Sequence, residues 1–111
     1  MFERINQYRS LWVLVFFDLP TETRLERKIA SEFRKGLQKD GFDMFQFSIY
    51  LRFCASYENA QVHIKRVKSI LPDKGKVCIM QITDRQYGMM ELFFGQEKIK
   101  KKNIIQQLEL F

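Results

Sequence analysis

Seven consecutive apolar residues, Leu11-Trp12-Val13-Leu14-Val15-Phe16-Phe17, run without interruption and stop at Asp18. A strand apolar on both faces belongs at the centre of a sheet, covered above and below. Leu19-Pro20 closes it, and Thr23-Arg24-Leu25-Glu26 then carries capping-box spacing, with Thr23 as N-cap and Glu26 at the third helical position. Leu25, Ile29, Ala30, Phe33 and Leu37 recur at helical spacing, and Asp40-Gly41 ends the run with a glycine suited to the left-handed position after a helix. Gly36 inside this helix costs about 1 kcal/mol relative to alanine, so tertiary packing must hold that turn.

Alternation takes over from about Met44 to Phe53 and predicts one strand. Phe45, Phe47, Ile49, Leu51 and Phe53 take one face; Gln46, Ser48, Tyr50 and Arg52 take the other. A second helix follows Ser56, with Ala60, Ile64, Val67 and Leu71 on its apolar stripe and Pro72 as its stop. Lys74-Gly75 turns into a strand over 76–83. Asp84 to Gly88 reads as a polar turn, Met89 to Phe94 as another strand, 96–103 as a basic exposed stretch, and 104–111 as a last strand.

The elements point to an α+β fold, a ferredoxin-like βαββαβ antiparallel sheet with both helices on one face. Residues 1–95 are expected to form this domain, and 96–111 a basic tail and a C-terminal strand exchanged in a homodimer. The helix-free face is apolar and calls for a second copy packed across a two-fold axis, with the terminal strand sealing the partner's sheet edge.

Composition narrows the class. A chain of 111 residues is one domain with a small core. With 46% hydrophobic and 29% charged residues it is a folded protein rather than a disordered one, and eleven Phe exceed what so small a monomer can hide. The polar start, Met1 to Ser10, and the shortness of the apolar run argue against a secretory signal or a membrane span, so a cytoplasmic location is expected. Cys54 and Cys78 are expected to be buried free thiols, and no CxxC or Cys/His spacing supports zinc. The net charge of +6 and pI near 9.5 favour a polyanion partner, and the placement of the charges says more than their sum.

Asp18 is the first candidate for chemistry. A carboxylate on a rigid strand tip can hold Mg²⁺, which takes one or two carboxylates and leans on substrate phosphate; it can equally be a turn residue. Asp84, at the end of 76–83, is expected at the same sheet edge, on the premise that the two strands are parallel neighbours, with a turn cap as its simpler role. On the first helix Arg24, Arg27, Lys28, Arg34 and Lys35 fall within an arc of about 120°, opposite the apolar stripe. Glu22, Glu26, Glu32 and Asp40 project outside that arc, so the face is of one sign and suits phosphate contact. Lys98, Lys100, Lys101 and Lys102 form a short cationic run that either lies along a duplex or is simply solvated. Lys65, Arg66 and Lys68 scatter around the second helix, and His63 sits off its apolar stripe with no nucleophile in view. No Gly-rich phosphate loop is present, and the strand at 76–83 lacks the aromatic platform of an RNA-recognition motif.

The apolar strand ending in Asp18-Leu19-Pro20-Thr21, the basic helix 24–39 and the segment Gly41-Phe42-Asp43-Met44-Phe45-Gln46-Phe47-Ser48-Ile49-Tyr50 together carry a family likeness. Ile82-Thr83-Asp84-Arg85-Gln86-Tyr87 and Gln107-Leu108-Glu109-Leu110-Phe111 add to it. The chain resembles the CRISPR-associated protein 2 family, the small subunit of spacer acquisition, and most of all its type II branch. The resemblance implies a ferredoxin-like homodimer that binds double-stranded DNA and bridges dimers of the integrase subunit, CRISPR-associated protein 1. It also implies an alternative: a metal-dependent endonuclease on RNA or duplex DNA, with Asp18 binding Mg²⁺ between protomers. Arg24 and Arg27 fall in the family's basic helix entry, and Tyr50 closes its Gln-aromatic-Ser motif. Phe17 stands where nuclease-active members often have Tyr, and Met44 where some of them carry Arg; these departures weaken the nuclease carry-over and leave the scaffold role intact.

Overall fold

A computed structural model describes residues 10–101. Strand β1 (Leu11–Asp18) is the expected central strand, hydrogen-bonded on both sides, with Trp12 to Val15 buried. Helix α1 (Arg24–Lys39) starts with the expected capping box. The Thr23 hydroxyl accepts from the Glu26 N–H at 3.1 Å, and the Glu26 carboxylate accepts from the Thr23 N–H at 2.9 Å. These bonds, the Thr23 backbone bond foremost, hold the Glu26 carboxyl below its ordinary range. Gly41 adopts φ +87° just past the helix, the conformation glycine tolerates best.

The alternating stretch is not one strand. It folds into β2 (Asp43–Gln46) and β3 (Ile49–Cys54), paired antiparallel across a turn at Phe47-Ser48. This hairpin supplies the central ββ step, and α2 (Tyr57–Ser69) and β4 (Lys76–Thr83) complete a four-stranded sheet ordered β2-β3-β1-β4. That order, with all neighbours antiparallel, is the ferredoxin-like fold. The apolar segment after β4 is therefore not needed in the sheet. Asp84 to Gly88 forms a short helix, α3, capped by Thr83 and Gln86, and among the described residues Leu92–Phe94 (β5) pairs only with Glu97–Ile99 (β6). The terminal strand expected at 104–111, with its exchange between protomers, lies outside the described residues.

The sheet has two apolar faces. Val13, Val15, Phe17, Tyr50 and Cys54 pack against Phe33 and Leu37 of α1 and Ala60, Ile64 and Val67 of α2. Tyr50 and Arg52, expected on the polar face of their strand, thus lie on the helix side. Tyr50 is 1% exposed, with its hydroxyl accepting from Gln38, and Arg52 Nε donates to the Asp40 carbonyl at 2.9 Å. The face read as apolar, with Phe45, Leu51 and Phe53, is the open one. Gly36 also has its reason. A Cβ there would come within 2.8 Å of Ile70 Cδ1, so the bare backbone lets α1 approach the end of α2.

On the open face Trp12, Leu14 and Leu51 pack with Tyr87, flanked by Phe16, Phe45, Phe53, Ile82 and Met90. Tyr87 stacks on Trp12 with centroids 4.0 Å apart, so the segment after β4 covers one end of a face expected to be bare.

Candidate nucleic-acid interface and the Asp18 strand end

Asp18 is exposed at the tip of β1, on the open face shared with Trp12, Leu14 and Phe16. The antiparallel register sets it opposite Lys76. The turn before β4 packs closely here: Gly75 has φ +93°, and a Cβ on it would lie 2.7 Å from the Asp18 carbonyl oxygen. A shallow concavity of about 330 Å³ opens beside Asp18, lined among others by Phe16, Ser48, Ile49, Lys76 and Cys78.

Asp84 is not at this edge. Because β1 and β4 run antiparallel, with Leu11 opposite Thr83, Asp84 lies at the far end of the sheet. There its Oδ1 accepts from Trp12 Nε1 at 2.8 Å, which together with the stacked Tyr87 ties α3 down. Burial, with the Asp84 charge beside it, pushes the Tyr87 hydroxyl pKa up, so this phenol stays neutral.

A single chain does not assemble a metal site around Asp18. Among the described residues no group of three His, Cys, Asp or Glu side chains is placed to hold an ion, and the cross-strand neighbour of Asp18 is a lysine. One exposed carboxylate facing a cation does not fit Mg²⁺, so within one chain no chemical step runs through an ion.

The basic face of α1 keeps its single sign in three dimensions, but its five cations are deployed differently. Arg24, Lys28 and Lys35 are exposed. Arg27 folds back, its Nη1 donating to the carbonyls of Thr21 at 3.1 Å and Glu22 at 3.0 Å, so it ties the loop before α1. Arg34 is half-buried, its Cζ 4.2 Å from the Phe47 ring centroid and 5.4 Å from that of Phe17. The lysine run is engaged nearer home. Lys98, in β6, sits 3.6 Å from the Glu91 carboxylate, and Lys101 Nζ donates to the Met90 carbonyl. Lys100 is exposed, and Lys102 lies outside the described residues.

Two features were not expected. His63 is buried although it lies off the apolar stripe of α2: its Nδ1 lies 2.8 Å from Asp40 Oδ2, while Arg66 Nη1 donates to Oδ1 at 2.9 Å. Burial alone would raise the Asp40 carboxyl pKa, but the His63 and Arg66 hydrogen bonds and charges outweigh it and hold the group below its ordinary range. In the sequence Asp40 reads only as the end of α1, and no local signal joins it to a residue 23 positions away. Cys78, expected buried, is exposed on the open face opposite Phe16; Cys54 is buried, and that burial raises its thiol pKa.

These elements define a class, a small ferredoxin-like α+β domain with an acidic strand tip and a cationic first helix. Comparison with known proteins narrows it. Residues 11–90 match the family described as CRISPR associated protein Cas2. The chain is 68% identical over 110 residues to a CRISPR-associated endoribonuclease Cas2 of Flavobacterium psychrophilum, covering 99% of this chain and 96% of that protein. Proteins of the same name from Parvibaculum lavamentivorans and Paracidovorax avenae are 45% and 43% identical, over 91% and 96% of this chain and 100% and 99% of their own lengths. The chain belongs to the Cas2 family, a component of CRISPR adaptation.

Proposed function

We propose that the chain acts as a homodimer that binds double-stranded DNA and bridges dimers of the integrase subunit, CRISPR-associated protein 1, during spacer acquisition. The observation that carries this reading is the one-sided cationic surface of α1, where Arg24, Lys28 and Lys35 stand exposed. Phosphate contact needs such a surface and no catalytic group. The homodimer is supported by the open sheet face, which keeps Met80 at 42% exposure and Phe16 only half-buried around the Asp18 tip. Lys98 and Lys100, both exposed, extend the proposed surface, while Lys101 is held by the Met90 carbonyl.

The test is duplex DNA binding across a salt series. A protein using about six phosphate contacts loses about 10³ in affinity between 50 and 200 mM salt. Reversing Arg24, Lys28 and Lys35 to Glu removes that dependence; unchanged affinity in this variant overturns the reading. Arg27 is a poor choice for the test, because its guanidinium holds the loop before α1.

A second reading is phosphodiester cleavage, on RNA or duplex DNA, at a two-fold-related pair of Asp18 carboxylates with Mg²⁺. It is favoured by the name endoribonuclease that the relatives carry and by the exposure of Asp18 on the open face. Cleavage by the wild type with Mg²⁺ that Asp18→Ala abolishes supports it; equal activity in both eliminates it.

A further inference from the structure

Phe47 is 71% exposed, a large aromatic ring left in water at a two-residue turn. The turn is pinned, because the Phe17 N–H donates to the Ser48 carbonyl at 3.0 Å. Over the Phe47 ring sits the Arg34 guanidinium, its Cζ 4.2 Å from the centroid, with Phe17 beneath at 5.4 Å. Phe17 is itself locked, edge-on to Phe33 at 5.2 Å and stacked near Tyr50 at 5.8 Å. Arg34 Nε is sealed from solvent and has no hydrogen-bond partner among the described residues. Leaving a buried N–H unpaired is unfavourable, so the guanidinium is held where its own hydrogen bonding alone would not put it.

An aromatic ring over Cζ engages the face of a guanidinium and leaves its N–H edge for acceptors. A free arginine must freeze several torsions before its fork can meet a phosphate, and one already held by rings has frozen them. Arg34 lies on the same arc of α1 as Arg24, Lys28 and Lys35, so such a fork would extend that surface towards the β2–β3 turn.

We infer that Phe47 is a positioning residue for nucleic-acid binding: it holds Arg34 so that its terminal N–H groups meet a backbone phosphate of duplex DNA. This rests on the DNA-binding reading above and adds to it the residue that presents the contact. Arg34 touches the phosphate, and Phe47 acts only through Arg34.

The experiment measures binding of a fluorescent DNA duplex across a salt series, with thermal unfolding of each variant in parallel. The proteins are the wild type, Arg34→Gln, Phe47→Leu, Phe47→Trp and the combined Arg34→Gln/Phe47→Leu. Arg34→Gln is expected to reduce the slope of log affinity against log salt by about 0.9 for each protomer that loses its phosphate contact. Phe47→Leu is expected to weaken binding in the same direction, and Phe47→Trp, which keeps a strong cation-binding face, to restore wild-type binding. The combined variant should bind like Arg34→Gln alone, since Phe47 has nothing left to position. A ring that merely packs the turn would shift unfolding without moving the salt slope. Wild-type binding by Phe47→Leu, or additive losses in the combined variant, overturns the inference while leaving DNA binding standing. A wild type that shows no salt-dependent duplex binding overturns the DNA-binding reading and this inference together.

Discussion

The two faces of the sheet look alike along β1 and are finished differently. Val13, Val15 and Phe17 point to one side, Trp12, Leu14 and Phe16 to the other. The first set is sealed under α1 and α2, which bring Phe33, Leu37, Ile64 and Val67 onto it. Among the described residues the second is covered only at the Trp12 end, by Tyr87 and Met90, and thins out toward Phe16, Cys78 and the exposed Asp18. One face therefore stores the stability of the folded chain, and the other leaves apolar surface for the proposed partner copy. Apolar alternation on a strand says that a face will be covered, not whether its own chain or another does it.

Substitutions at matched places put this contrast to the test. On the helix face Leu37→Ala, at a site with no exposure, should cost roughly 3 kcal/mol of unfolding free energy in denaturant titration. Asp40→Asn, on the same side, should cost about 2 kcal/mol by weakening the bonds to His63 and Arg66. Its pH dependence has a definite sign. A carboxyl whose folded pKa lies below the ordinary 3.8 contributes stability that is present above that value and lost as pH falls through the folded pKa. The wild type should therefore lose more of its thermal midpoint than Asp40→Asn between about pH 5 and about pH 3.

At the covered end of the open face, Trp12→Phe deletes the donor to Asp84 and should cost about 1 kcal/mol. Amide exchange should rise in 84–90 and not in α1 or α2; exchange rising everywhere would mean that the two faces unfold as one. Toward the uncovered end Met80→Lys should change the stability of the monomer by less than about 0.5 kcal/mol, yet weaken the proposed homodimer in sedimentation. A loss comparable to Leu37→Ala would erase the distinction between the faces. The smallest perturbation is chemical. A thiol reagent on the native monomer should modify exposed Cys78 and spare Cys54, whose burial disfavours the thiolate.

Much of the frame was legible from local pattern. Thr23 and Glu26, three positions apart, specify a helix start, and Ser56 another. The strand expected over 76–83 has those bounds. What escaped was long-range or unmarked. The turn at Phe47-Ser48 has no Gly, Pro, Asn or Asp and no positive φ, so nothing broke the alternation from Met44 to Phe53. The same hairpin swings Phe47 out of the strand face on which it was counted and over Arg34. The candidate site divides similarly. The acidic strand tip and the one-signed arc of α1 could be read from spacing. What each cation touches could not, because Arg27, Arg34, Lys98 and Lys101 take their partners from loops, rings, a carboxylate and carbonyls elsewhere in the fold.

Local sequence suffices to make β1 central, to cap α1 and α2 with Thr23 and Ser56, and to give α1 one cationic arc. Each of these follows from residues within a turn or two of one another, where backbone capping, side-chain period and charge act directly. Long-range packing is what makes the alternating segment a hairpin, sets Asp84 at the opposite end of the sheet from Asp18, buries His63 on Asp40, and brings Arg34 against Phe17 and Phe47. Those outcomes depend on strand register and helix docking, which bring together residues many positions apart and are set by the packing of the whole sheet.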